Sequence, residues 1–218
     1  MIDRKKILEN IIASIKEYFE GAEGGHDFWH AYRVMKIAGK IAGKENADIF
    51  ICEIAGLVHD IADPKFHNGD EKEGTLTASD FLSAQGLNEQ TIRSIMFIIE
   101  NVSFKGGLNN SLSKPIELQV VQDADRLDAI GAIGIARAFH YGGYKNRKIY
   151  DPEIKPQIYS SPEEYRKSDA PSINHFYEKL LLLKDLMNTK AGKTMAKDRH
   201  AFLKTYLKHF FNEWNAEK

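Results

Sequence analysis

His30, the dipeptide His59-Asp60 and the aspartates Asp123, Asp125 and Asp128 all stand in stretches that otherwise read as buried helix. "AGLVHDIAD", residues 55–63, is apolar for four residues and then sets an imidazole beside a carboxylate, with Asp63 three positions further on. "VVQDADRLDAIGAIG", residues 120–134, threads three carboxylates through an apolar run. Taking such groups out of water is costly unless something pairs with them, and a divalent cation is a strong partner. Two imidazoles and two carboxylates without a thiolate suit manganese, magnesium, iron, cobalt, nickel or zinc, with no clean choice among them. Four protein ligands on a six-coordinate ion leave two positions, which water and a phosphate oxygen can fill. The ion then lowers the pKa of bound water and stabilises charge on phosphorus. Asp125 and Asp128 are three apart and share a helix face, so spacing leaves both open as the carboxylate from this run. Asp123 points elsewhere.

These groups need a frame. Ile7, Leu8, Ile11, Ile12, Ile15 and Phe19 recur at helical spacing. Gly21 to Gly25 breaks that helix, and Asp27 is placed to cap the next, which carries Val34, Ile37, Ala38 and Ile41 on one face. A third helix runs through Ile49, Ile54, Leu57 and Val58 and ends near His59, because Pro64 opposes continuation. Further helices are predicted at Thr75 to Ala84, Glu89 to Glu100 behind Asn88, Pro115 to Leu127, and Ala129 to Tyr141. Residues 142–171 hold four prolines and little apolar periodicity, and read as a long irregular Tyr/Pro-rich insertion. Two helices, Ser172 to Asn188 and Ala191 to Trp214, close the chain. The aromatic stripe Phe202, Tyr206, Phe210 and Trp214 on the last is read as core. The expected architecture is an all-α helical bundle forming one domain over 1–218. Its metal-binding core covers about 24–141 and its C-terminal helices 172–214.

Bulk composition narrows the function. A formal net charge of −1 over 218 residues gives no global field for a nucleic-acid polymer or an anionic membrane. Cys52 is the only cysteine, which excludes an internal disulfide and a thiolate zinc cluster. The charged, periodic start "MIDRKKILEN" is unlike a signal peptide, so a cytoplasmic location is expected. No phosphate-binding glycine loop, dinucleotide fingerprint or serine-nucleophile elbow is present.

The order His30, His59-Asp60, Asp125 resembles the HD-domain metal-dependent phosphohydrolase superfamily. The phrases "GHDFWHAYRV", "AGLVHDIADPKFH" and "QDADRLDAIGAIGIARAFHYGG" resemble one branch of small bacterial HD hydrolases, similar to nucleotide pyrophosphohydrolases. The resemblance implies a helical bundle with His30, His59, Asp60 and Asp125 as metal ligands. Asp125 is preferred to Asp128 because it fills the aspartate of the family's AD-x-L motif, here Ala124-Asp125-Arg126-Leu127. It also implies that Asp63 orients or deprotonates the attacking water, the alternative being that it merely ends a helix. The chain has Asp-Pro where guanosine tetraphosphate hydrolases have Glu-Asp. It also lacks the second upstream histidine pair of two-metal cyclic dinucleotide phosphodiesterases; His67 is a weak substitute.

Phosphates call for cations. Lys65 lies beside the site in sequence, Arg33 shares a helix face with His30, and Arg126 adjoins Asp125; Arg137 and His140 lie one to two turns beyond the aspartate helix. His26 and Asp27 precede His30, and Asp27 either caps its helix or orients a ligand imidazole. Tyr144, with Tyr141 and Tyr150, either stacks a base or packs on the bundle. The expected activity is cleavage of a nucleoside triphosphate between the α and β phosphates. The alternatives are a nucleoside monophosphate phosphatase and a non-catalytic nucleotide or metal sensor. The expected partners are a small phosphorylated substrate, a nucleotide first, and a second copy of the chain as a homodimer.

Overall fold

A computed structural model describes residues 3–21, 27–62, 67, 70–102, 114–159, 164 and 168–217. The fold is all-α, with no strand among the described residues. The chain forms two compact units, residues 1–125 and 126–218, and the boundary falls inside a helix.

The first unit contains α1 (Arg4–Tyr18), α2 (Phe28–Glu45), α3 (Ile49–Val58), α4 (Glu71–Ala84), α5 (Glu89–Val102) and most of α6 (Ile116–Asp128). Asp3, Asp27, Asp48 and Asp70 cap the first four by accepting from backbone N–H groups of the first turn. Asn88 Oδ1 accepts from Thr91 N at 2.9 Å at the start of α5. Helix α4 begins at Glu71, four residues before the expected Thr75. Asp70 starts it by accepting from Lys72 N at 2.8 Å and Glu73 N at 3.2 Å.

Helix α3 is the hub, packed against α1, α2 and α5. A helix that is apolar nearly all round must be enclosed by others, and Cys52 and the run Ile54 to Val58 are buried. Ile11 and Ile15 of α1, Val34, Ala38 and Ile41 of α2, and Ile95, Ile98 and Ile99 of α5 complete this core. Helix α6 is tied in by side chains: Asp48 N donates to Glu117 Oε1 at 3.2 Å, and Gln122 Nε2 donates to the Asn101 carbonyl at 3.0 Å.

The second unit holds the last turn of α6, then α7 (Gly131–Tyr144), α8 (Ser172–Glu178), a 3₁₀ segment (Leu180–Leu186) and α9 (Lys190–Trp214). The helix expected from Ser172 to Asn188 breaks at Lys179, which sits at φ −141° and ψ −58°. Beyond it, the buried Leu180 and Leu183 are three apart, which suits a turn of three residues. The aromatic stripe of α9 is not all core. Phe202 is 50% and Trp214 51% exposed, and the buried face runs through Ala196, Leu203 and Leu207. Tyr206 stacks on Phe176 at 5.7 Å, and Trp214 meets Tyr150 edge-on at 4.9 Å. Tyr150 thus fastens the described part of the insertion to α9. Two backbone bonds, Ser172 N to Lys148 O and Ile173 N to Ile149 O, hold the same part against the start of α8. No described helix is long and apolar enough to cross a membrane.

Candidate metal centre

Helix α2 brings His30 into place from its first turn. Asp27 Oδ1 accepts from His30 N at 2.8 Å, so the helix cap holds the backbone of the histidine itself. Of the two roles expected for Asp27, capping is the one seen. Helix α3 delivers the other pair as it ends. His59 follows Val58 still in helical conformation, and Ile61 N donates back to Val58 O at 3.0 Å, turning Asp60 under the imidazole.

The side chains converge. His30 Nε2 lies 3.5 Å from Asp60 Oδ2 and 3.5 Å from Asp125 Oδ1. His59 Nε2 lies 3.3 Å from Asp60 Oδ1 and 3.9 Å from Asp125 Oδ1. The two rings meet edge-on with centroids 5.2 Å apart. Ligand atoms of His30, His59 and Asp60 all fall within 4.8 Å of one another.

The arrangement fits a cation. His59 Nδ1 is 2.8 Å from the Gly56 carbonyl, which can only accept, so Nδ1 carries the proton. When the ring is neutral its Nε2 is then a lone pair, and it faces carboxylate oxygens, also lone pairs. Such a meeting repels unless a positive charge lies between. Donor atoms held at about 2.1 Å by one ion sit about 3.0 Å apart at right angles and about 4.2 Å apart when opposite. The observed 3.3 to 3.9 Å separations lie in that window. His30, His59 and Asp60 could therefore hold a divalent ion, whose identity the ligand set does not fix.

Exposure gives the site a direction. The side chains of His30, His59 and Asp60 are 1%, 4% and 10% exposed, whereas Asp125 is 40% exposed. Three donors form a buried floor and the fourth stands at the opening. Asp128, the alternative on the same helix, is paired instead with Arg137 at 2.9 Å. Asp123 is fully buried.

The remaining candidates spread out. Arg33 is half-buried on α2, one turn beyond His30. Arg126 Nη1 donates to the Leu186 carbonyl at 2.7 Å, fixing the 3₁₀ segment. Tyr144 is exposed, with Lys145 Nζ 5.3 Å above its ring. His26, Asp63 and Lys65 lie outside the described residues. His67 donates Nε2–H to the Ile61 carbonyl at 2.7 Å and so braces the chain after the HD pair.

Sequence reasoning missed Gly56. A β-carbon there would lie 3.2 Å from Met35 Cα and N and 3.4 Å from Val34 C. Helices α2 and α3, which carry His30 and His59, therefore touch backbone to backbone at this residue. The same residue's carbonyl fixes the His59 tautomer. A glycine at i−3 from the HD pair, within an otherwise apolar helix, was the available signal.

Comparison with known proteins agrees with this geometry. The HD domain family model matches residues 28–130, a span containing His30, His59, Asp60 and Asp125. The uncharacterized protein YpgQ of Bacillus subtilis is 35% identical over 206 residues, covering 93% of this chain and 91% of that protein. The crystal structure of an HD-superfamily hydrolase from Bacillus thuringiensis is 42% identical, with a TM-score of 0.77 over 98% of this chain and 99% of that one. The crystal structure of B. subtilis YpgQ in complex with ADP is 34% identical, with a TM-score of 0.73 over 93% and 97% of the two chains. A buried imidazole-carboxylate cluster on helices α2, α3 and α6, within a chain so similar throughout its length, shows that this protein belongs to the HD-domain family of small bacterial hydrolases.

Proposed function

We propose that this chain is a metal-dependent phosphohydrolase that cleaves nucleoside triphosphates between the α and β phosphates. The observation that carries the reading is the convergence of two imidazole Nε2 atoms and two aspartates on one buried point that opens at Asp125. In this reading His30, His59, Asp60 and Asp125 are the ligands of one divalent ion. When bound, that ion would supply an activated water and charge neutralisation at phosphorus. The chain's own residues do the rest. The Gly56 carbonyl keeps the His59 proton on Nδ1, so the Nε2 that faces Asp60 and Asp125 is the atom that would ligate. The side chains of His30, His59 and Asp60 are buried and that of Asp125 is exposed, so a substrate phosphate is taken to enter past Asp125. Arg33, one turn beyond His30, is assigned to the phosphates, with Lys65 beside the HD pair in sequence. Asp63, three residues after Asp60, is assigned to orienting or deprotonating the water. Tyr144, exposed on α7, is assigned to the base.

The choice of a nucleotide is supported by the ADP complex of the B. subtilis relative. The preference for an anhydride bond follows the sequence resemblance. The chain is taken to work as one enzyme over 1–218, since that relative is matched over 93% of it.

The test is a panel of nucleoside mono-, di- and triphosphates with Mn²⁺, Mg²⁺, Co²⁺ or Zn²⁺, scored separately for phosphate and pyrophosphate. Manganese-dependent pyrophosphate release from triphosphates is expected. Phosphate release from monophosphates alone would move the assignment to the phosphatase. His59→Ala combined with Asp60→Ala should remove bound metal and all turnover while leaving helicity intact. Wild-type turnover in that double variant ends the mechanism.

A further inference from the structure

The C-terminal turn of α6 is unusually well tethered. Two guanidinium groups reach its last residues, and a third reaches out from it. Arg137 Nη1 lies 2.9 Å from Asp128 Oδ2. Arg199 Nη1 donates to the Leu127 carbonyl, one of the acceptors a helix end leaves unpaired. Arg126 reaches out to the Leu186 carbonyl at 2.7 Å. Asp128 is 1% exposed, so its pairing with Arg137 is shielded from water. Burial draws the Arg199 guanidinium below its usual pKa, and nearby Asp128 draws it back. Cations at a helix C-terminus also complement the dipole.

The turn that follows is shaped to let Arg199 in. Gly131 sits at φ +79°, a conformation that disfavours a β-carbon. A β-carbon there would also come within 3.1 Å of Arg199 Cγ and 3.2 Å of its Cβ. The arginine stem thus lies across a bare glycine on its way to the Leu127 carbonyl. Arg137 and Arg199 both lie beyond residue 130, where the family match ends.

Asp125 precedes these tethered residues by two and three positions in one unbroken helix. It is also the most exposed of the four candidate ligands, with the least packing of its own to hold it. We propose that Asp128, Arg137 and Arg199 are positioning residues for Asp125: they lock the last turn of α6 and so set where that carboxylate stands. Arg137 and Arg199, outside the HD match, then help set how tightly the metal is held. The inference rests on Asp125 being a ligand, as proposed above.

The test is Mn²⁺ binding to the full chain without nucleotide, measured by titration calorimetry, for Arg199→Ala, Asp125→Ala and the double variant. Loss of an outer support of a metal ligand costs roughly 10- to 100-fold in affinity. Arg199→Ala should therefore bind Mn²⁺ about tenfold more weakly. In the Asp125→Ala background, Arg199→Ala should weaken it no further, because the residue acts through Asp125. A purely structural role would cause the same additional loss with or without Asp125, and that result overturns the clamp. So does Mn²⁺ affinity within twofold of wild type in Arg199→Ala. Wild-type affinity in Asp125→Ala overturns the ligand assignment and the clamp with it. Arg199→Lys keeps the charge and most of the stem. It serves if the alanine variant does not fold, with an expected loss of about threefold; unchanged affinity there overturns the clamp equally.

Discussion

Gly56→Ala tests how closely the metal centre depends on helix packing. The new β-carbon would lie 3.2 Å from two backbone atoms of Met35, and backbone cannot swing aside as a side chain can. Helix α2 must move from α3 by roughly 0.3–0.5 Å to restore ordinary contact. Overpacking of this kind costs about 1–3 kcal/mol. Replacing glycine inside a helix returns about 1 kcal/mol. The net is a loss near 1 kcal/mol, or a Tm lower by about 2–4 °C for a chain of this size. The effect on metal should be larger. Ligand distances tolerate only about 0.2 Å, yet the shift separates His30 on α2 from His59 and Asp60 at the end of α3. A tenfold loss of Mn²⁺ affinity is expected. By linkage it removes about 1.4 kcal/mol of metal-induced stabilisation. Calorimetric melting with and without Mn²⁺ should show the metal-induced rise in Tm shrink by roughly 3–5 °C. Gly43→Ala on α2 is the control. Its β-carbon meets only Ile49 Cδ1 at 3.7 Å, so it should stabilise by up to about 1 kcal/mol and leave the metal effect intact. A Gly56→Ala protein with the wild-type Mn²⁺-induced rise would refute the argument that backbone contact sets ligand spacing.

Three further outcomes follow from local structure. Asp48→Ala removes a cap that accepts from Phe50 N at 2.9 Å and Ile51 N at 3.2 Å, and should cost about 1 kcal/mol in thermal melts. Cys52 is fully buried, and desolvation pushes its thiol pKa up, so native protein at pH 8 should resist a disulfide reagent that modifies it readily in guanidinium. His175 is held down to about 3 by burial first and by Lys179 and Arg147 second. An unfolded chain protonates this ring near pH 6.5, the folded one only near pH 3. Between these values the unfolded state binds the extra proton, so stability falls as pH drops from about 6.5 towards 3 and is unaffected above. His175→Gln should flatten that part of the stability profile measured by urea melts.

The candidate cluster was legible because its residue types are expensive in an apolar helix. His59-Asp60 and Asp125 interrupt runs whose periodicity demands burial, and a group that must be buried needs a partner. The choice between Asp125 and Asp128 was not legible from spacing, since both lie on one helix face. In the structure Arg137, nine residues beyond Asp128, pairs with Asp128, while Asp125 Oδ1 lies 3.5 Å from His30 Nε2. Helix starts were read well where an aspartate or asparagine stood next to the periodic residues, as at Asp27 and Asn88, and late where Asp70 was hidden among other polar residues. The helix expected from Ser172 to Asn188 failed for a different reason. Leucines in an unbroken run satisfy a period of three or of 3.6 equally, so Leu180 to Leu183 concealed the switch to a 3₁₀ turn.

What sequence reading passed over was small. Gly56 and Gly131 carry no functional group, and each does its work by lacking a β-carbon where another chain segment must pass. At Gly56 that segment is the backbone of α2; at Gly131 it is the stem of Arg199. Both glycines stand next to an element that carries candidate ligands: Gly56 three residues before His59, Gly131 six residues after Asp125. A metal site needs its donors within a few tenths of an ångström, and helix contacts through side chains leave more freedom than that. Close approach at glycine removes the freedom. In the proposed site the imidazoles and carboxylates would decide what can be bound, and the two glycines whether the donors come near enough to bind it.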